Sequence, residues 1–288
     1  MSTVTVARLI EAAAARLRGA GVAKPRREAN RLWAWQNRID PGQSYLTRER
    51  SPGPAPARAF EAAVDRRVRG KPLAYVLGHV GFRRLEIRCD RRALIPRPES
   101  EGLVELALAH RRTGRVLDLG TGTGCLALAL ADEGAFSRIV GVDCSDPALA
   151  LARENVAATG LPVELMRIDL GAALPGERFD LLVANPPYVS LAEYEMLDPS
   201  VRDWEPRVAL LAGSDGMEVA KRILHESGPL LDAGGVLVME VDSTRARAVA
   251  ALAAAAGWVD VRIGRDLFGR DRYLTACPGH QSPEGAGA

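Results

Sequence analysis

The chain is poor in metal-binding and cross-linking residues. Cys89, Cys125, Cys144 and Cys277 are its only cysteines in 288 residues, no two are spaced Cys-x-x-Cys, and there are only four histidines. Neither a zinc site nor a disulfide framework is expected. Long apolar runs are missing too. None approaches the roughly 18 residues of a membrane span. Arg8, Glu11, Arg16 and Arg18 interrupt the stretch where the apolar core of a signal peptide would lie. An excess of one charge is also absent: the formal net charge is +2, too small for the field that marks a nucleic-acid binder. These absences lead us to expect a soluble, reduced, cytoplasmic protein with no metal, no membrane contact and no direct nucleic-acid partner. A monomer is expected.

What the chain does contain is apolar material. Hydrophobic residues make up 47% and charged residues 26%, a mix that supports a sizeable core in one large domain or two smaller ones. The first third is Arg-rich, with Arg26, Arg27, Arg31, Arg66, Arg67 and Arg69. Such a face either meets an acidic partner or is a solvated helix face. Val6, Leu9, Ile10, Ala13 and Leu17 fall at helical spacing, and Gly19 and Gly21 are placed to end that helix. "RREANRLWAWQNRI" predicts a second helix with Leu32, Trp35 and Ile39 on one side, and "ARAFEAAVDRRVRG" a third, after the breaker Ser51–Ala57. Short, Ala-rich helices suit a small bundle over residues 1–72.

Near Leu73 the pattern changes to β-branched and aromatic residues with turn signals. Alternation at Leu85, Ile87 and Cys89 predicts a β-hairpin connector over residues 73–100. Its end, "IPRPESE", is held extended by two prolines flanking Arg97. From Arg115 the rhythm is strand, helix, strand, helix. The strand candidates are "RVLDLG", "RIVGVD", "VELMRID", "FDLLVAN", "GVLVMEV", "VDVRIG" and "RYLTAC". Apolar runs alternating with helices imply a mostly parallel sheet covered on both faces. The last two candidates lie close together and suit an antiparallel pair at one end of the sheet. This domain is expected over residues 101–278. The small, polar stretch 279–288 is expected to be a disordered tail.

"VLDLGTGTGCLALALA" places Gly120, Thr121, Gly122, Thr123 and Gly124 between a strand and a helix. Glycines there allow close approach of a ligand to the main chain, beside the positive end of a helix. The spacing is G-x-G-x-G, not the dinucleotide G-x-G-x-x-G, and no Gly-Lys-Ser/Thr follows. A nucleoside ligand without phosphates fits better. Asp143, ending the second strand, can take both hydroxyls of a ribose. Asp169, at the end of the third, lies where an adenine would sit. Together these features point to S-adenosylmethionine; the alternative is a structural sheet with capping aspartates. The fold expected is α/β: a seven-stranded, mostly parallel, Rossmann-like sheet with an antiparallel edge hairpin, plus a small N-terminal helical bundle joined by a β-hairpin.

The fourth strand runs into Asn185, Pro186, Pro187 and Tyr188. Asn-Pro is a common turn former, and prolines cannot extend a ladder. The same residues can act on a ligand. The Asn185 oxygen and the Pro186 carbonyl are two acceptors able to grip a planar –NH2 group. Tyr188 can offer a ring face to a flat substrate or to a sulfonium charge.

"NPPY" after "FDLLVA", with "LDLGTGTG" upstream, is similar to the amino-methyltransferases that use S-adenosylmethionine. "PLAYVLG", "LIPRPESE", "VRDWEPRVALLAGSDGME" and "DLFGRDRYL" narrow this: the chain resembles the HemK/PrmC family over nearly its whole length. That resemblance implies methylation of the glutamine N5 in the Gly-Gly-Gln motif of class 1 peptide chain release factors. We further expect the helical domain, about residues 1–72, to hold the protein substrate, and the resemblance places Arg97, Pro98 and Glu99 beside the active-site crevice. For these three, as for Glu205 and Pro206, a connector locked by prolines and an ion pair is the alternative. Glu240 reads as structural. Against the family pattern, Gly81 replaces an acid, Asp242 and Arg245 stand near a usual glycine and glutamine, and Leu170 replaces an aromatic. Other activities remain open: methylation of an exocyclic amine of DNA or RNA, of another protein or a small-molecule amide, or a catalytically idle binding protein. No base is needed for the chemistry, so His79, His110, His225 and His280 are expected to be structural or surface residues.

Overall fold

The structure, a computed structural model, describes residues 5–170, 174 and 176–279. Most of the expected tail, residues 280–288, lies outside the described residues. Gly279, its first residue, donates its N–H to the Gly257 carbonyl. The chain divides into two compact units. One holds the residues up to His79 together with Asp198–Trp204; the other holds Val80–Leu197 and the residues from Glu205 onward.

The first unit is helical: α1 (Val6–Gly19), α2 (Pro25–Gln36), α3 (Pro54–Val68) and α4 (Leu73–Leu77). Thr5 caps α1 by accepting the Arg8 N–H, and Pro25 opens α2 at a position whose N–H has no helical partner. The apolar stripes meet in a core of Leu17, Leu32, Trp33, Phe60 and Val64. Trp33 and Phe60 pack edge to face with centroids 5.5 Å apart. Arg67 pairs with Glu28 at 2.7 Å, and Arg26 with Glu11 at 2.9 Å, so part of the arginine-rich face is satisfied within the unit. The boundary expected at residue 72 differs from this division. Residues 73–77 form a helix whose Val76 and Leu77 join the helical core. The alternating pattern that signals the hairpin starts only after Gly78, which ends α4 in the left-handed region.

The hairpin β1 (His79–Phe82) and β2 (Leu85–Arg88) follows, its first residue being the last of the helical unit, and then α5 (Glu99–His110). A βα series follows: β3 (Thr113–Leu119), α6 (Cys125–Glu133), β4 (Ala135–Asp143), α7 (Asp146–Thr159), β5 (Glu164–Arg167) and β6 (Phe179–Ala184). The short helix α8 (Leu191–Met196) follows; α9 (Pro199–Arg202) belongs to the first unit, and the second resumes with α10 (Glu218–Glu226). Next come β7 (Leu231–Glu240), α11 (Ala246–Ala255), β8 (Trp258–Arg265) and β9 (Asp271–Pro278). The seven-stranded sheet has the order β5-β4-β3-β6-β7-β9-β8. The first five strands are parallel, and β9 is antiparallel to both β7 and β8.

All seven strand candidates form strands, and the two faces explain their continuous apolar runs. Val116, Leu181 and Val238 pack with α5 and α6 on one side. Leu117, Leu182 and Leu237 pack with α10 and α11 on the other. The chain leaves β3 toward β5 and then returns past β3 to β6, so the order reverses at β3. Among the described residues no helix is long and apolar enough to cross a membrane.

Candidate active site

A cavity of about 350 Å³ opens at the ends of β3, β4 and β6, where open α/β sheets bind ligands. Its size falls in the range of small-molecule and cofactor sites, roughly 300–1,000 Å³. The turn after β3 forms one wall. Gly120, Gly122 and Gly124 have φ of 73°, 56° and 82°, the left-handed region that a Cβ disfavours. A Cβ on Gly120 would meet no protein atom within 4 Å, so the protein itself leaves the space over the loop open.

The loop is pinned on its other side. The N–H groups of Gly120 and Thr121 both donate to the Val142 carbonyl at 2.9 Å. Thr121 Oγ1 donates to the fully buried Asp118 at 2.6 Å. Burial pushes the Asp118 carboxyl up to about 7, against the pull of the Thr121 hydroxyl and the Ala127 N–H. Thr121, Gly122 and Thr123 line the cavity with Gly120. Gly124 does not; it caps α6, where a Cβ would touch Ala152 of α7 at 3.6 Å.

Asp143 ends β4 and lines the cavity. Its oxygens accept the N–H groups of Gly122 (2.9 Å) and Ser145 (2.8 Å), and burial raises the carboxyl above its ordinary range. Asp169 corrects one expectation: β5 ends at Arg167, not at Asp169. Ile168 still donates to the Asp143 carbonyl at 3.1 Å, and the chain then turns at Leu170, whose φ is 57°. Asp169 and Leu170 nevertheless both line the cavity, and Asp169 pairs with Arg222 of α10 at 3.3 Å.

Asn185 and Pro187, after β6, also line the cavity. Pro186 is buried and Tyr188 half-buried, and neither is part of the wall. Burial raises the Tyr188 hydroxyl above its ordinary value, and the Glu240 charge adds to this. Arg97 is in the wall and donates to Glu205 at 2.6 Å; the buried Glu205 also accepts the Ile95 N–H at 3.0 Å. These bonds lock the proline-flanked segment, and Pro206 joins the wall beside it. Pro98 and Glu99 lie outside the wall. Pro98 caps α5, and Glu99 pairs with Arg270 at 3.2 Å while its carbonyl accepts the Tyr273 hydroxyl at 2.6 Å.

Two residues gain a place here that the sequence did not announce. Asn185 Nδ2 donates to Ser100 Oγ at 2.8 Å, and Ser100 Oγ donates to Glu240 Oε2 at 2.7 Å. Ser100 and Glu240 are both 1% exposed. They come from α5 and the end of β7, and no local pattern links positions so far apart in the chain. Of the departures from the family pattern, Gly81 is the exposed residue of β1, and a Cβ there would meet nothing within 4 Å. Arg245 pairs with Asp242 at 3.2 Å and with Glu193 at 2.7 Å, and donates to the Asp215 carbonyl at 2.8 Å. Among the described residues no group of three His, Cys, Asp or Glu is placed to hold a metal ion.

Comparison with known proteins assigns the two parts of the chain separately. Residues 99–197 match the family model "Methyltransferase small domain", and residues 8–78 match "PrmC N-terminal domain". A crystal structure of a methyltransferase from Pyrococcus furiosus has the same fold, with a TM-score of 0.52 at 18% identity over 68% of this chain and 90% of that one. The class is therefore that of a methyltransferase. Relatives define it further. A protein of Cereibacter sphaeroides named release factor glutamine methyltransferase is 42% identical over 93% of this chain and 96% of its own length. Proteins of the same name from Deinococcus radiodurans and Mycolicibacterium smegmatis are each 40% identical over 93% of this chain, covering 96% and 95% of their own lengths. The chain belongs to the release factor glutamine methyltransferase family.

Proposed function

We propose that the chain transfers a methyl group from S-adenosylmethionine to the side-chain amide nitrogen, N5, of the glutamine in the Gly-Gly-Gln motif of class 1 release factors. The observation that carries this reading is the anchoring of Asn185 through its own nitrogen. With Nδ2 committed to Ser100, Oδ1 is the acceptor left for a donor such as a substrate –NH2.

The cavity fits the cofactor in size and donor set. The open space over Gly120 and the acceptor capacity left on Asp143 suit a nucleoside with a ribose diol. Gly120, Gly122 and Asp143 would hold that part, and Asp169 and Leu170 would border the base. When bound, S-adenosylmethionine supplies a methyl group activated by its sulfonium.

A carboxamide nitrogen is a weak nucleophile because its lone pair is delocalised. The protein's part is to hold that nitrogen in line with the bond that breaks. Such positioning supplies up to about 7–11 kcal/mol in the best model reactions. Asn185 Oδ1, in the cavity wall, would orient an N–H bond of that nitrogen and stabilise the positive charge that grows on it in the transition state. The methylated nitrogen is acidic and loses a proton to water, so no protein base is required. His79, His110 and His225 do not line the cavity; His280 lies outside the described residues.

The test is incubation of the chain with purified release factor and cofactor labelled in the methyl group. Label should enter the release factor, and a release factor with that glutamine changed to alanine should stay unlabelled. Equal labelling of both would overturn the reading.

A further inference from the structure

The direction of the hydrogen bonds between Glu240 and Asn185 follows from chemistry. An ionised carboxylate only accepts. A serine hydroxyl has one hydrogen. With that hydrogen given to Glu240 Oε2 at 2.7 Å, Ser100 Oγ has only lone pairs to offer Asn185. Asn185 must then present its –NH2, at 2.8 Å, and its Oδ1 is directed elsewhere. Both supporting residues are buried, so water does not compete for these bonds.

We infer that Glu240 and Ser100 are positioning residues that set the polarity of the Asn185 carboxamide, keeping its oxygen available to the substrate –NH2. The inference rests on the proposed role of Asn185. Without the relay, the two ends of that carboxamide are nearly the same size and differ little in packing. A flipped Asn185 would offer N–H groups to the N–H groups of the substrate, which repels where attraction is needed.

The relay predicts a reversal. A protonated Glu240 donates to Ser100, Ser100 donates to Asn185 Oδ1, and the amide turns its –NH2 to the cavity. Around Glu240 lie Ser100 and Glu99 of α5, Arg97 before that helix, Tyr188 after β6, and Arg272 and Tyr273 of β9. Burial is the largest influence and raises the carboxyl above its ordinary range, against the pull of Ser100 and the two arginines.

Ser100→Ala and Glu240→Gln in the full chain test this with two independent readouts. The first is the side-chain amide signal of Asn185 in nitrogen-15 NMR, assigned by its loss in Asn185→Ala. Both variants should shift that signal, and in Ser100→Ala its hydrogens should exchange faster with water. An unmoved signal in both variants would overturn the relay whether or not any substrate is methylated. The second is the pH profile of kcat on release factor. Wild type should lose activity on the acid side as Glu240 gains its proton, and Glu240→Gln should lack that limb. Ser100→Ala should lower kcat about a hundredfold, with cofactor affinity within about twofold of wild type. An acid limb retained in Glu240→Gln, or an unchanged kcat in Ser100→Ala, would contradict the positioning role. A responsive Asn185 signal with no methyl transfer by wild type would uphold the relay and reject the proposed reaction.

Discussion

At Asn185 one oxygen decides between two outcomes. Asn185→Ala removes an acceptor of the growing charge but no part of the sheet, so we predict a folded protein that still binds cofactor by calorimetry. Its kcat should fall at least about 10²–10³-fold, the usual effect of deleting one such contact; wild-type turnover would exclude the assignment. Gly122, with φ of 56° and a Cβ direction that meets the Gly120 carbonyl at 3.9 Å, makes a second prediction. Gly122→Ala should cost about 1–2 kcal/mol in a denaturant melt, because the left-handed conformation is strained for any residue with a Cβ. It should also weaken cofactor binding, since Gly122 lines the cavity. Asp118 makes a third. Its carboxyl is pushed from 3.8 to about 7 by burial, so folding takes up a proton between those limits. Stability should therefore fall as pH rises through that window. Asp118→Asn should show a shallower slope there in urea melts, and an unchanged slope would contradict the assignment.

At the scale of elements, the βα series was legible because each strand is a continuous apolar run and each helix fits between two of them. The glycine turn and the Asn-Pro-Pro-Tyr stop were legible for the same reason: both break a strand pattern abruptly. The end of β5 was not, because Ile168 and Asp169 continue the sequence pattern and only the turn at Leu170 shows that pairing has stopped. Helix α4 was absorbed into the hairpin because five residues are too few to display a period. The Glu240, Ser100 and Asn185 contacts were illegible for a different reason, since they join elements distant in the chain and each residue type is ordinary where it stands. Ser190 caps α8, and its backbone N–H, then its hydroxyl, then Arg245 hold Glu193 down to about 2. That contribution is complete above pH 4.5 and is lost as pH falls toward 2. Arg245→Ala removes only the last of these partners, so we predict a fall in melting temperature of roughly 2–4 °C at neutral pH. No change would show that the Asp242 and Arg245 departures carry no structural weight.

At the scale of the whole molecule, a unit with the cavity and a helical unit without it divide the work in our reading. We propose that the first performs the chemistry and that the second recognises the protein substrate. Leu46 of the helical unit is 82% exposed, so a polar residue there leaves the core intact. If that face meets the release factor, Leu46→Asp should raise KM for the intact factor severalfold with little change in kcat, the pattern of a lost binding contact remote from the reacting atoms. Unchanged kinetics would move recognition to another face. Activity should also survive nuclease treatment, since the substrate is protein. The central claim is that one carboxamide nitrogen receives the methyl group. Fragmentation mass spectrometry of release factor peptides after reaction tests it directly. The account predicts a single methyl group on the side-chain nitrogen of the Gly-Gly-Gln glutamine, absent when Asn185→Ala replaces wild type. A methyl group on any other residue, or none on this one while the cofactor is bound, would contradict it.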